Sequence, residues 1–316
     1  MRALVIRRPG PADAMQLEAV ADPSPGAGEV LVAVQAVGVN PVDATNRADP
    51  GWAGIRPPYV VGYEFAGSLA AIGEGVRAHA VGEEVWGLLP VRGTRWGAYA
   101  ELVAAPVHCV GPRPCELAAE DAAALPLVGS TSLQLLDRLP LEAGDWVLVH
   151  GAAGGVGSVL IQLARSRGLR VAAVARKQRH ALLRELGVEV IVDLDAQDPP
   201  RDVLEAIGGA PRGVIDLVGG GALNRSLELV TEGGAAASIV ELSGDLEPAI
   251  DRNLSLHGVL VRPDRNDLAR LSAEVRARRF RPVLDRVLRL DQAPIAHRRI
   301  ETGHGQGKLV LRVEET

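Results

Sequence analysis

Between Val147 and Ala175 the chain reads as strand, glycine turn, helix and strand, and no other segment restricts the fold so strongly. The stretch is Val147-Leu-Val-His-Gly-Ala-Ala-Gly-Gly-Val-Gly157, a helical run to Arg167, then the apolar Arg170-Val-Ala-Ala-Val-Ala175. A pyrophosphate needs backbone N–H groups aimed at it from a helix N-terminus, and side chains would block the approach. Gly154, Gly155 and Gly157 remove them, with the main chain of Ala153 just before the glycines and that of Val156 among them. Val147, Leu148 and Val149 supply a buried parallel strand, while Val159, Leu160, Leu163 and Ala164 recur at helical spacing and pack the helix back on the sheet. The first fingerprint position is Ala152, so the motif reads A-x-G-x-x-G. The alternative is a tight turn whose glycines serve close packing alone.

The end of the second strand indicates which dinucleotide is bound. A site for NAD calls for Asp or Glu about 20 residues after the glycines, to hold the ribose hydroxyls. This chain has Ala175-Arg-Lys-Gln-Arg179, with no carboxylate and three cations. Arg176 and Lys177 are the expected partners of a 2′-phosphate, which selects NADPH; Arg179 points elsewhere in that reading. A solvated basic helix start is the plainer alternative.

The 316 residues, 47% hydrophobic, suffice for a substantial core and two domains. A net charge of −5 gives no broad electrostatic reason to bind nucleic acid or an anionic membrane. Arg276, Arg278, Arg279 and Arg281 read as one helix's solvated end. The two cysteines, Cys109 and Cys115, do not fit zinc spacings and read as free thiols of a cytoplasmic protein. Met1–Arg7 alternates as a strand and not as a signal peptide, and no run approaches the roughly 20 apolar residues of a membrane span.

Strand-like runs at Glu29–Val39, Glu64–Ile72, Glu84–Leu89 and Ala98–Ala104 predict a mainly β first third. From about Asp121, helical stretches alternate with strands at Val147–His150, Val171–Ala175, Val190–Val192, Val214–Val218 and Ala236–Val240. That rhythm predicts a right-handed parallel α/β sheet, with a sixth strand near Leu256–Val261. A helix from Asp267 to Arg278 follows, and the strand Lys308–Arg312 is expected to rejoin the N-terminal domain. The expected division is 1–122 with 264–316, and 123–263.

Several separated segments resemble one family. Val37-Gly-Val-Asn-Pro-Val-Asp43, Gly82-Glu-Glu-Val-Trp-Gly87, Leu125-Pro-Leu-Val-Gly-Ser-Thr131, Gly151–Gly157 and Gly307-Lys-Leu-Val-Leu311 are similar to the medium-chain dehydrogenase/reductase superfamily. Within it, the chain resembles the zinc-independent quinone oxidoreductase branch, which includes enoyl reductases and zeta-crystallin. The resemblance implies a Rossmann-type α/β cofactor domain joined to a mainly β, GroES-like catalytic domain, and a homodimer formed through edge strands near Leu256–Val261. Zinc dehydrogenases of the superfamily carry metal ligands where this chain has Asn40, Tyr63 and, nearby, Leu127, none a strong zinc ligand. The reading is therefore zinc-free reduction of an activated acceptor.

By the same resemblance, NADPH lies across the sheet's carboxyl edge and a hydride passes to a small molecule, a quinone or the β-carbon of an α,β-unsaturated carbonyl. A tailoring enoyl reductase and a non-catalytic, crystallin-like NADPH binder are the alternatives. Asn40 is the leading pocket residue, or else a turn residue before Pro41. Tyr63 is a hydrogen-bond donor or proton source, or else ties down a loop. Thr131 contacts the nicotinamide side or caps the helix containing Ser132–Leu136. Trp52 forms a pocket wall or anchors the loop Ala48–Pro57. Gly219 and Gly220 pass close to the cofactor, and Ser238 and Ile239 line its nicotinamide face. Asp43 and Glu64 are not read as an acid–base pair, because spacing alone does not bring them together; His150 and His257 read as packed histidines.

Overall fold

The computed structural model describes residues 1–303 and 305–314, which form two compact units. The first comprises Met1–Ser130, Arg262–Arg278 and the segment from Pro282 onward; the second comprises Thr131–Val261 with Arg279–Arg281.

In the first unit, the long strand Glu29–Val39 alternates buried and half-buried residues before becoming wholly buried. It is flanked by antiparallel neighbours, Glu64–Ile72 on one side and, end to end on the other, Leu102–Pro106 along its first half and Lys308–Arg312 along its last residues. Leu284–Arg289, Glu84–Leu88 and Val110–Pro112 complete this sheet, and Arg2–Ile6 pairs with Met15–Ala19 separately. The C-terminal strand does return to this unit. The run expected at Ala98–Ala104 forms its strand four residues later, at Leu102–Pro106. The reason is that the amides of Ala98 and Tyr99 turn to the carbonyls of Gly62 and Val61 and leave the ladder.

In the second unit, six strands are all parallel. Their order is Val190–Asp193, Arg170–Ala175, Trp146–His150, Gly213–Asp216, Ala235–Ser238, Ser255–Gly258. Numbered along the chain this is 3-2-1-4-5-6, the doubly wound arrangement whose direction of winding reverses between strands one and four. Leu148, Ala172, Val214 and Ala236 form the buried middle of the sheet, against Val203, Leu223, Leu227 and Val230. The helix Gly155–Ser166 buries Val159, Leu160, Leu163 and Ala164 on its apolar face. Burying each large aliphatic contributes about 1.5–3 kcal/mol, which fixes the glycine turn at the sheet's carboxyl edge.

The fourth and fifth strands stop two residues short of the expected ends, at Asp216 and Ser238. Both side chains capture the amides that follow and turn the chain away. The helix predicted at Asp267–Arg278 spans Arg265–Arg276 and is capped by Asp264, which accepts from the Asn266 amide.

Candidate active site

Gly154 is the N-cap of the helix Gly155–Ser166, and no side chain among the described residues caps that end. The first amides of any helix lack an internal partner. Here those of Gly155, Val156 and Gly157 find no backbone acceptor among the described residues. A Cβ on Gly157 would lie 2.5 Å from the Ala152 carbonyl oxygen and would also strike that of Gly151. Gly157 therefore permits the close turn, while Gly154 leaves its outer side clear. An uncapped helix N-terminus of bare backbone fits an anionic pyrophosphate.

Arg176 and Lys177 follow the second strand and are exposed. Lys177 Nζ lies 3.3 Å from Asp193 Oδ2, at the end of the neighbouring strand, while the lysine side chain remains 83% exposed. Asp193 is held below the usual carboxylate range by the Asp195 amide and then by Lys177. Arg176 pairs with no carboxylate among the described residues. A carboxylate thus stands beside the basic cluster after all, contributed by the third strand rather than the second.

Gly219 and Gly220 both have positive φ, 71° and 63°, in the turn after the fourth strand. Ser238 ends the fifth strand, and the amide of Ile239 reaches back to the Asp216 carbonyl. His150, closing the first strand, is buried, and burial holds its pKa down to about 4. Its Nε2 donates to Ser226 Oγ at 2.8 Å, whose own proton goes to the Ala222 carbonyl. His257 is half-buried in the edge strand.

Asn40 lies where the strand Glu29–Val39 gives way to the helix Pro41–Ala48, and it is buried. Its Nδ2 donates to Glu64 Oε1 at 2.8 Å, its Oδ1 accepts from Lys308 Nζ at 2.5 Å, and its backbone amide donates to Asp43 Oδ2 at 2.7 Å. Lys308 also pairs with Glu64 Oε1 at 2.6 Å. Glu64 Oε2 accepts from the Leu127 amide, so one carboxylate also caps the helix Pro126–Arg138. Only glycine at position 38 leaves room, because a Cβ there would lie 2.5 Å from the Ala123 carbonyl and collide with the Glu64 carboxylate. Asp43 and Glu64, which spacing could not connect, are joined through Asn40.

The network continues outward. Tyr99 OH donates to Asp43 Oδ2 at 3.2 Å and contacts His297 Nε2 at 3.1 Å; Arg47 reaches His297 Nδ1 at 3.2 Å. Since the guanidinium can only donate, His297 carries its proton on Nε2 and donates it to Tyr99. Burial and the Arg47 charge hold His297 down to about 3. Burial pushes Asp43 up to about 7, against the opposing Asn40 amide and Lys308 charge.

Tyr63 is wholly buried, and its hydroxyl accepts from Asn46 Nδ2 at 2.5 Å. Burial raises it well above the usual phenol range, so it keeps its proton. The Arg92 guanidinium lies over the Trp52 ring, 4.8 Å from the ring centroid, and the buried indole N–H of Trp52 finds no partner among the described residues. Thr131 is buried inside the helix Pro126–Arg138 and does not cap it, since that helix starts five residues earlier. A groove of about 860 Å³ in the first unit is lined by Leu89, Arg95, Trp96 and Leu102 among others; Asn40, Tyr63 and Trp52 do not line it.

Lys308, Tyr99, His297, Asp193 and Asp216 escaped the sequence reading. A lysine within the apolar run Lys308–Leu311 was the one available signal, since a lysine at a buried strand position requires a buried partner. Among the described residues no group of three or more His, Cys, Asp or Glu is placed to hold a metal, and Asn40, Tyr63 and Leu127 are a poor donor set for zinc.

Two family models match: an alcohol dehydrogenase GroES-like domain over residues 26–115 and a zinc-binding dehydrogenase domain over residues 186–311. A 2-methylene-furan-3-one reductase from Solanum lycopersicum is 31% identical over 96% of this chain and 76% of its own length. The solved structure of a quinone oxidoreductase from Coxiella burnetii is 31% identical, covers 99% of both chains and superposes with a TM-score of 0.90. A mycobacterial protein solved in complex with NADPH is 28% identical, with 99% of this chain and all of the other covered and a TM-score of 0.89. No helix among the described residues is long and apolar enough to cross a membrane.

Proposed function

Because the chain belongs to the medium-chain dehydrogenase/reductase superfamily, in its quinone oxidoreductase branch, we propose that it is a zinc-independent, NADPH-dependent reductase of quinones or α,β-unsaturated carbonyls. The observation that carries this reading is the uncapped helix N-terminus at Gly154–Gly157, on a 3-2-1-4-5-6 sheet with Arg176 and Lys177 beyond the second strand. The amides of Gly155, Val156 and Gly157 would hold the pyrophosphate, and Arg176 with Lys177 the 2′-phosphate. When bound, the cofactor supplies the hydride.

Asn40 acts as a fixed donor in this proposal. One Nδ2 hydrogen is committed to Glu64, and the amide oxygen to Lys308, so the second Nδ2 hydrogen is the one left for a substrate oxygen. Tyr63 contributes as a hydrogen-bond donor and not as an acid, since burial strengthens its hold on the proton. Thr131, Gly219, Gly220, Ser238 and Ile239 complete the cofactor's surroundings, and Trp52 walls the substrate side. A polarised acceptor needs no Lewis acid, which agrees with the poor zinc donors at positions 40, 63 and 127. The edge strand Ser255–Gly258 offers unpaired backbone for a homodimer.

Loss of NADPH absorbance with a panel of quinones and enones tests the assignment. Turnover with either class and with NADPH preferred supports it; tight NADPH binding without turnover on any acceptor would reduce the protein to a cofactor binder.

A further inference from the structure

Two loops follow the fourth and fifth strands of the parallel sheet, and a single buried carboxylate sits at the base of both. Asp216 is fully buried. Its Oδ1 accepts from the amides of Val218 at 2.9 Å and Gly219 at 3.0 Å, which bends the chain immediately after the strand. Its Oδ2 accepts from Ser238 Oγ at 3.5 Å. Ser238 is the register partner of Asp216 on the adjacent strand, and its Oγ accepts in turn from the amides of Val240 at 3.1 Å and Glu241 at 3.2 Å. The chain of bonds therefore runs from one loop through two side chains into the other. The loops also meet farther out. A Cβ on Gly219 would fall 2.9 Å from Val240 Cγ1, and the Gly221 amide donates to Glu241 Oε1 at 3.3 Å. Three consecutive glycines with positive φ, Gly219 to Gly221, give the first loop little stiffness of its own. Val218 and Val240, 57% and 55% exposed, stand on the two loops as apolar surface turned to solvent.

We propose that Asp216 is a positioning residue that locks the two loops into one clasp and so holds Val218 and Val240 as a shelf for the bound dinucleotide. The inference rests on the cofactor reading given above, but its mechanical half does not. Without the carboxylate, the amides of 218 and 219 lose their acceptor, Ser238 Oγ loses its own, and the glycine loop becomes free to reorder. The shelf is then assembled only on binding, and ordering it at that moment weakens affinity.

Hydrogen exchange of Asp216→Ala and Asp216→Asn, with NADPH titration of the same proteins, tests the clasp. Faster exchange is expected in both segments, 218–221 and 240–241, with NADPH dissociation weakened about 10-fold or more in the alanine variant and less in the asparagine variant, which retains one acceptor oxygen. Ser238→Ala should speed exchange at 240–241 while leaving 218–219 protected. Unchanged exchange at 240–241 in Asp216→Ala, or unchanged NADPH affinity in a folded variant whose loops exchange faster, overturns the proposal. If the wild-type protein binds no NADPH, the cofactor reading fails, and the exchange data still decide whether Asp216 couples the loops.

Discussion

Lys308 and Glu64 form a buried ion pair at 2.6 Å, and both hold the side-chain amide of Asn40, one at each end. The pair lies in the interior, where removal of one partner leaves an uncompensated charge. Lys308→Met should therefore lower stability by about 3–5 kcal/mol, read by urea unfolding. Lys308→Met with Glu64→Gln should recover part of that loss, because the stranded carboxylate is gone; a double variant no more stable than the single one would contradict the pairing.

Cofactor preference follows from the second and third strands together. A charge-assisted hydrogen bond is worth about 1.5–3 kcal/mol, so Arg176→Ala should weaken NADPH binding by roughly 10- to 100-fold while leaving NADH almost unchanged. Asp193→Asn should act oppositely, since Lys177 would be released from its carboxylate and the acidic neighbour of the 2′-phosphate removed. Equal effects on both coenzymes, measured by calorimetry, would refute the assignment.

Gly157→Ala places a methyl group where the Ala152 carbonyl oxygen lies 2.5 Å away. The helix must retreat from the turn to admit it. The variant should unfold at lower temperature and bind NADPH at least about 10-fold more weakly, since misplacing the amides removes an interaction worth more than about 1.4 kcal/mol. Wild-type affinity in Gly157→Ala would show that the close approach does not matter.

The pH dependence of stability has two opposing parts. His150 binds its proton at about 4 when folded and near 6.5 when unfolded, so acidification through 6.5 protonates the unfolded chain first and destabilises the fold. The loss reaches the order of 3 kcal/mol by pH 4, and His297, held to about 3, acts in the same direction. Asp43 runs the other way. Its folded pKa of about 7 exceeds the ordinary 3.8, so its contribution is full below 3.8 and is lost as pH rises through 7. His150→Gln should lessen the rise of urea-measured stability between pH 4 and 6.5, whereas Asp43→Asn should steepen that rise, because the group opposing the two histidines is gone. Slopes identical to the wild type would remove these groups from the account.

The parallel sheet was legible because its strands are short, apolar and separated by glycine turns, so local pattern and tertiary burial agree at Val147–His150 and Arg170–Ala175. Strand ends were less so. Apolar residues resume at Leu217–Val218 and Ile239–Val240, but side-chain acceptors at Asp216 and Ser238 end the strands, and hydrophobic pattern carries no record of a hydrogen bond. The network around Asn40 was hidden for another reason: Asp43 is near in sequence, but Glu64, Tyr99, His297 and Lys308 arrive from four distant segments. The same holds for Asp193, whose approach to Lys177 depends on strand order. Residue types announce chemistry locally, while partnerships are fixed by topology.

Calorimetric titration of the purified protein with NADPH and then NADH tests the central claim most directly. Saturable heat with NADPH, at least about 10-fold tighter than with NADH, is the predicted result, the ratio expected from one good guanidinium–phosphate contact. Absence of heat from either coenzyme, with no competition between them, would contradict the redox account of this fold.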